Sequence, residues 1–226
     1  YMLKEFDERE GEGRRDLVFL PVGLNYDRVL EDRTQLRKLH PELPRRGRTQ
    51  AIATLLSFGA TQLRRAIRGD WHRFGYACVN FGTPVSMRAW CRDNRLRFTD
   101  LGEDERKDEV ARVADHLMAA IGRVVPVLPV SLVASIFLED SARRWSELEL
   151  KAAMHLRMAQ LQARGAHQYI PRQDEDYAFG VGLRMLVLRH LVQEQDGQFG
   201  IAPDALEVIA YYANAIAHLT PAPPPA

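Results

Sequence analysis

The sequence predicts an α/β fold in which residues 1–100 contain short buried strands and residues 103–220 form an all-helical unit. The apolar runs at residues 17–20 and 76–81 are short and end at Pro21 and Gly82, which is typical of strands. After residue 103, apolar residues recur at helical spacing in successive segments. The proline-rich tail, residues 221–226, is expected to be extended.

The composition is that of a globular protein and excludes several other classes. The 226 residues are 46% hydrophobic and 27% charged, far from the composition of a disordered chain. The sequence lacks an apolar run of about 18 residues, the length that predicts a bilayer-spanning helix. Cys78 and Cys91 make neither a disulfide framework nor a metal-ligand spacing, so no metal site is predicted.

A polar cluster follows the first predicted strand. Tyr26, Asp27 and Arg28 come shortly after Pro21, which cannot donate to a sheet ladder. Ligands of open α/β sheets bind beyond the carboxyl ends of strands, so the cluster is a candidate binding site. The strand itself is expected to be covered on both faces. Alternatively, Asp27 only caps the helix predicted over residues 29–39.

A basic region lies between residues 33 and 73, with ten basic residues against two acidic ones. The net charge is +6 over residues 1–100 and −5 over residues 101–226. A helix predicted over residues 50–69 has an apolar face and a basic flank, which suits either an anionic membrane surface or packing on the sheet. Three further arginines suit a phosphate ligand or an open surface: Arg45, Arg46 and Arg48.

The second strand precedes a turn and a helix predicted over residues 87–91. If the two strands pair, they form part of a sheet with an open edge, which predicts association of the chain.

The helical unit is predicted to begin after a charged boundary at residues 101–107. Ser146 and Glu149 make a capping box, and Gly165 ends the helix that follows. Residues 126–170 have the pattern of two helices joined by a turn, but five basic residues against four acidic ones give no phosphate footprint, so no nucleic acid is predicted. The helices are expected at residues 110–125, 130–138, 146–164, 183–192 and 203–218, with residues 198–201 as a connector.

Three blocks resemble those of the glycerol-3-phosphate O-acyltransferase family. The segment PVGLNYDRVLED at residues 21–32 resembles the fourth block of the family. GYACVNFGTP at residues 75–84 resembles its G-Y-x-x-V-N-F-G-x-P strand, and YYANAIAH at residues 211–218 is similar to its Y-Y-x-N-x-I-A-H helix. The blocks occur in the family's order, so we expect the chain to be the C-terminal part of such an acyltransferase domain, followed by the helical unit.

The catalytic motif of the family, His-x4-Asp, has no counterpart in this sequence. In the family, its Asp orients the His that acts as general base. None of the seven histidines is followed five positions later by Asp. The Arg-containing and Phe-Pro-Glu-Gly blocks of the family are also absent, so no catalytic residue is assigned and this chain alone is expected to be inactive.

The resemblance implies acyl transfer from acyl-CoA or acyl carrier protein to the sn-1 hydroxyl of glycerol 3-phosphate, the first acylation of phospholipid biosynthesis. It implies no cofactor, an anionic membrane surface as partner, and a peripheral position on the cytoplasmic side of the membrane. Dihydroxyacetone phosphate as the acceptor and a non-catalytic membrane-docking module stay open as alternatives. The residues expected to contact the substrates are Pro21, Gly23, Tyr26, Asp27, Arg28, Asn80 and Gly82.

Overall fold

The computed structural model describes Phe6, residues 15–29, Asp32, Leu36 and residues 75–220. Asp32 and Leu36 are helical, as the sequence predicts. Several predictions lie outside the described residues, namely those for the helix at 50–69, for Arg45, Arg46 and Arg48, and for the tail at 221–226.

The first predicted strand is two strands, β1 (Val18–Phe19) and β2 (Val22–Tyr26). β2 pairs antiparallel with β3 (Ala77–Phe81), and β1 pairs antiparallel with β4 (Val85–Ser86). The pairing of the two predicted strands is therefore confirmed. One expectation was wrong, because β2 has one buried and one exposed face. The antiparallel register places the carboxyl ends of β2 and β3 at opposite ends of the ribbon.

Six α-helices are present in the described residues from 75 onward. The second one covers most of the charged boundary segment expected at residues 101–107, because three acidic residues in its first turn favour a helix N-terminus there. The helices are α1 (Met87–Asp93), α2 (Glu103–Val124), α3 (Pro129–Phe137), α4 (Glu147–Ala163), α5 (Glu175–Leu188) and α6 (Leu206–Asn214). Single 3₁₀ turns lie at Phe98–Asp100, Pro171–Gln173 and Ala217–Leu219.

The second unit also contains a sheet, which corrects the expectation of an all-helical unit. Its strands are β5 (Trp145–Ser146), β6 (Val192–Gln195) and β7 (Gln198–Ile201), in the spatial order β5, β7, β6. The expected connector is therefore a strand, and the expected helix at 183–192 ends at Leu188. The reason is the turn at Asp196 and Gly197, whose φ values of 53° and 74° suit a tight hairpin.

Two apolar cores hold these elements together. The larger core is formed by α3 to α6 and the three-stranded sheet. The helix α3 lies at its centre: all nine of its residues are buried, and it packs against α4, α5 and α6. The smaller core joins Phe6 and α1 to Phe98 and to Val113 of α2, with Leu17 and Phe19 packed against it.

Candidate functional site

Asp27 is fully buried at the end of β2, where it caps a helix that is distant in sequence. Its Oδ1 accepts a hydrogen bond of 2.9 Å from the backbone N–H of Val130, in the first turn of α3. Its Oδ2 accepts one of 3.0 Å from the N–H of Tyr76. Burial raises the pKa of Asp27 to about 6, against the lowering effect of these two donors. The carboxylate therefore holds β2, β3 and α3 together.

Two glycines allow the backbone to approach closely around this carboxylate. Gly75 has a φ of +73°, and a Cβ atom there would lie 2.5 Å from Cβ of Asp27. A Cβ atom on Gly23 would lie 2.3 Å from the carbonyl oxygen of Val124 at the end of α2. The buried Asn25 adds a bond of 2.8 Å from its Nδ2 to the carbonyl of Pro126. β2 is thereby fixed against the segment between α2 and α3.

A second buried network joins the first block to the helix α6. The hydroxyl of Tyr212 donates to Asp32 over 2.7 Å and accepts from the N–H of Val29 over 3.0 Å. The guanidinium of Arg189 donates to the Tyr212 hydroxyl over 2.7 Å and forms an ion pair with Asp32. Burial raises the pKa of Tyr212 to about 12, so the hydroxyl stays neutral. The first and third sequence blocks are thus joined by direct hydrogen bonds.

The third block also reaches the end of α2. Nε2 of His218 lies 2.9 Å from the carbonyl oxygen of Gly122, and a Cβ atom on Gly122 would lie 3.3 Å from the same ring. Since β2 packs on α2 and pairs with β3, the three blocks surround the C-terminal end of α2.

A groove of about 690 Å³ is lined by residues of the first and second blocks and by Leu219, which directly follows the third block. Its lining includes Pro21, residues 82–86, and Ala89 and Trp90 of α1. The C-terminal half of α2, residues 164–167 after α4, and Leu219 supply further lining residues. The volume lies within the range of about 300–1,000 Å³ that is common for small-molecule sites.

The charged side chains that line the groove are mainly basic. Arg123 and Arg164 contribute guanidinium groups, His116 and His167 contribute imidazoles, and Asp93 is the only carboxylate among the described residues of the lining. Asp93 forms an ion pair of 3.3 Å with Arg92. The groove is therefore suited to an anionic ligand.

The predicted site residues divide into two groups in the structure. Pro21 and Gly82 line the groove, and the N–H of Gly82 donates to the carbonyl of Pro21 over 2.8 Å. Gly23 pairs with the half-buried Asn80 in the neighbouring register position and does not line the groove.

The remaining predicted site residues lie at the other end of the β2–β3 ribbon. Asp27 is buried there, Arg28 is half-buried, and the side chain of Tyr26 is 45% exposed. The structure therefore does not bring all seven predicted residues to one cavity. What the seven residues share is their position in, or close to, the paired strands β2 and β3.

The basic groups of the groove were missed by sequence reasoning. Arg123 is in the last turn of α2, and Arg164 is the residue at which α4 ends. A basic residue at a helix C-terminus has a local explanation in the helix dipole, so neither one gives a signal of its own. Only the tertiary structure shows that both helix ends meet at one groove.

No helix within the described ranges is long and apolar enough to cross a membrane. Among the same residues, no group of three or more His, Cys, Asp or Glu side chains is arranged to hold a metal ion.

Comparison with known proteins gives one consistent family. The sequence model described as the glycerol-3-phosphate acyltransferase C-terminal region matches residues 59–223. The glycerol-3-phosphate acyltransferase of Pseudomonas paraeruginosa is 30% identical over 156 residues, which cover 66% of this chain and 17% of that protein. The enzyme of the same name from Pseudomonas putida strain KT2440 is 27% identical over 222 residues, or 91% of this chain and 24% of that protein.

The chain thus spans about a quarter or less of the length of these curated relatives. The resemblance seen in the three sequence blocks is confirmed, since the matched region contains the second and third blocks and the longer alignment covers nearly the whole chain. Because the matched region is well over half of the sequence, the chain belongs to the family of the glycerol-3-phosphate acyltransferase C-terminal region.

Proposed function

We propose that this chain takes part in transferring an acyl group from acyl-CoA or acyl carrier protein to the sn-1 hydroxyl of glycerol 3-phosphate. The observation that supports the proposal is a groove lined by Pro21 of the first block and Gly82 of the second, together with Leu219, which directly follows the third. Relatives of the family carry the name of this activity. The chain contributes substrate positioning in this reaction.

We assign no residue of this chain to the proton transfer of the reaction. The sequence has no His-x4-Asp motif, so a histidine general base oriented by that spacing is missing from it. Asp27 is not a substitute, because both of its carboxylate oxygens accept backbone N–H groups in the protein interior. We therefore expect this chain alone to show no acyl transfer.

A peripheral position at the cytoplasmic face of an anionic membrane is part of the proposal and rests on the sequence. The basic residues between 33 and 73 are its support, as an electrostatic attraction to anionic headgroups. Dihydroxyacetone phosphate stays open as an alternative acceptor, since it shares the phosphate with glycerol 3-phosphate.

A chimeric enzyme tests the proposed function. In it, this chain replaces the region of the Pseudomonas putida enzyme that it matches, and a second protein lacks that region altogether. Acyl transfer from palmitoyl-CoA is measured with glycerol 3-phosphate and, separately, with dihydroxyacetone phosphate. This chain alone is assayed in parallel.

The expected result is activity in the chimera with glycerol 3-phosphate and none in the deleted protein or in this chain alone. A folded chimera without activity towards either acceptor would overturn the proposal. If the inactive chimera still bound anionic vesicles in a salt-sensitive manner, a membrane-docking module would replace acyl transfer as the proposed function. Activity with dihydroxyacetone phosphate alone would change the acceptor.

A further inference from the structure

The polar groups that line the groove divide into those with partners in the protein and those without. The Ser86 hydroxyl donates to Asp16 over 2.6 Å, and Nε1 of Trp90 donates to Glu109 over 2.6 Å. Nδ2 of Asn94 donates to the carbonyl of Trp90 over 2.9 Å. These neutral groups are thus already satisfied and are poor candidates for ligand contacts.

The arginines of the groove are different. Within the part of the chain that the structure describes, the guanidinium groups of Arg123 and Arg164 have no hydrogen-bond or ion-pair partner. Each has up to five N–H donors in a planar arrangement that matches phosphate oxygens. Two such guanidinium groups line one groove of ligand size. Their donors are therefore available to bind an anion.

The helix ends explain the presence of these arginines only in part. α2 and α4 both approach the groove with their C-terminal ends, where each helix has a partial negative charge. One arginine per helix end offsets that charge. The imidazoles of His116 and His167 come in addition, and the ring of His116 packs 5.0 Å from that of Trp90. The groove therefore contains more basic groups than are needed to offset the partial negative charges of the two helix ends.

We propose that the groove binds a phosphate ester, with Arg123 and Arg164 as the phosphate-binding residues. The inference deepens the proposed function and rests on it only for the identity of the ester. The apolar wall of Pro21, Pro84, Val124 and Leu219 takes the carbon skeleton next to the phosphate. Three sources share this chemistry: glycerol 3-phosphate, the phosphates of coenzyme A, and the headgroup of an anionic lipid.

Calorimetric titration of the full chain with three probes tests the proposal. The probes are glycerol 3-phosphate, coenzyme A, and phosphatidylglycerol vesicles compared with phosphatidylcholine vesicles. Each is titrated into the wild-type chain and into Arg123→Gln, Arg164→Gln and the matched control Arg184→Gln. Arg184 is exposed on α5, lies outside the groove lining and, within the described residues, has no partner.

We expect at least one probe to bind, and we expect Arg123→Gln and Arg164→Gln each to weaken that binding about tenfold or more. Arg184→Gln is expected to change it less than about twofold. The charge-conserving variants Arg123→Lys and Arg164→Lys should retain part of the affinity, because an ammonium group lacks the planar donor pair. Thermal unfolding of every variant shows that the fold is kept.

Failure of all three probes to bind the wild-type chain would overturn the proposal. An equal loss in Arg184→Gln would overturn it too, because it would indicate a general charge effect. The readout is binding and not turnover, so the two proposals fail separately. An inactive chimera with intact arginine-dependent binding removes the acyltransferase function alone, whereas an active chimera without such binding removes the phosphate site alone.

Discussion

Gly75 is the residue at which the backbone around Asp27 is most constrained. It combines a positive φ with a position where a Cβ atom would lie 2.5 Å from Cβ of Asp27. Gly165 has nearly the same φ, +74°, but no atom lies within 4 Å of its Cβ position. Comparing alanine substitutions at the two glycines therefore distinguishes the free-energy cost of a left-handed backbone from that of the close contact with Asp27.

We predict that Gly75→Ala lowers the free energy of unfolding by about 3 kcal/mol or more, whereas Gly165→Ala lowers it by about 1–2 kcal/mol. Both variants pay for the left-handed backbone, and only Gly75→Ala also displaces Asp27. Urea unfolding of the three proteins measures the difference. Equal losses in the two variants would show that the contact with Asp27 is easily relaxed.

The Asp27 carboxyl group predicts a pH dependence of stability. Burial raises its pKa from 3.8 to about 6, so the folded state binds a proton more tightly than the unfolded state does. The stability that comes from the protonated group is fully present below pH 3.8 and is lost as the pH rises through about 6. The loss is about 3 kcal/mol for a difference of this size.

The measurement is urea unfolding of the wild-type chain and of Asp27→Asn at several pH values between about 4 and 7. The variant cannot titrate at this position, so the difference between the two proteins isolates Asp27. We expect the wild-type chain to lose stability relative to the variant as the pH rises. A difference that does not change with pH, or changes in the opposite direction, would contradict the prediction.

At the scale of elements, the connection between β2 and α6 depends on the ion pair of Arg189 and Asp32. Their side chains are 16% and 4% exposed, so Asp32 depends on nearby donors rather than on water. We predict that Arg189→Met lowers the free energy of unfolding by about 3–5 kcal/mol, because a buried carboxylate loses its cation. The matched control is Arg184→Met at an exposed position of α5, the helix that ends just before Arg189, with a change of about 0.5 kcal/mol or less.

A double-mutant cycle completes this test. Asp32→Asn removes the charge that Arg189 neutralises, so the double variant should be more stable than the sum of the two single losses implies. Additive losses would mean that Arg189 acts through Tyr212, to whose hydroxyl it donates and whose ring centroid lies 5.1 Å from its guanidinium carbon, and not through Asp32.

Elements set by local signals were predictable from the sequence, and tertiary contacts were not. Ser146 and Glu149 form the predicted capping box, with reciprocal bonds within four residues. The hairpin of β6 and β7 had a local signal as well, the Asp196–Gly197 pair, which the reading as a helix and a connector overlooked. By contrast, Asp27 caps a helix through Val130, 103 residues away, and no sequence pattern indicates which helix a distant carboxylate will cap.

The same limit applied to the candidate site. Pro21 and Gly82 were predicted from the resemblance of their blocks, and the structure places both in the lining of the groove. Arg123 and Arg164 come from the ends of two helices, and their proximity is a result of packing. Asp27 was predicted as a substrate contact because its block resembles one of the family, and the structure shows its carboxylate as the cap of α3.

At the scale of the whole molecule, one face of the β2–β3 ribbon is apolar and exposed. Leu24, Tyr26, Val79 and Phe81 are 52%, 45%, 49% and 67% exposed, and they occupy the same face of paired strands. Isolated exposed apolar residues are ordinary, whereas a contiguous group favours association. An open sheet edge, which the sequence predicts, would also allow the ribbon to pair with another chain.

We predict that the chain self-associates through this face and that Phe81→Lys weakens the association about tenfold or more, because a lysine in the contact would have to be desolvated. The matched control is Leu148→Lys on α4, where a leucine that is 76% exposed lies outside the ribbon. Sedimentation velocity from about 10 µM to about 1 mM measures the change. A monomeric wild-type chain over that range would contradict the prediction. Equal weakening by Leu148→Lys would show that added charge, and not the ribbon, controls association.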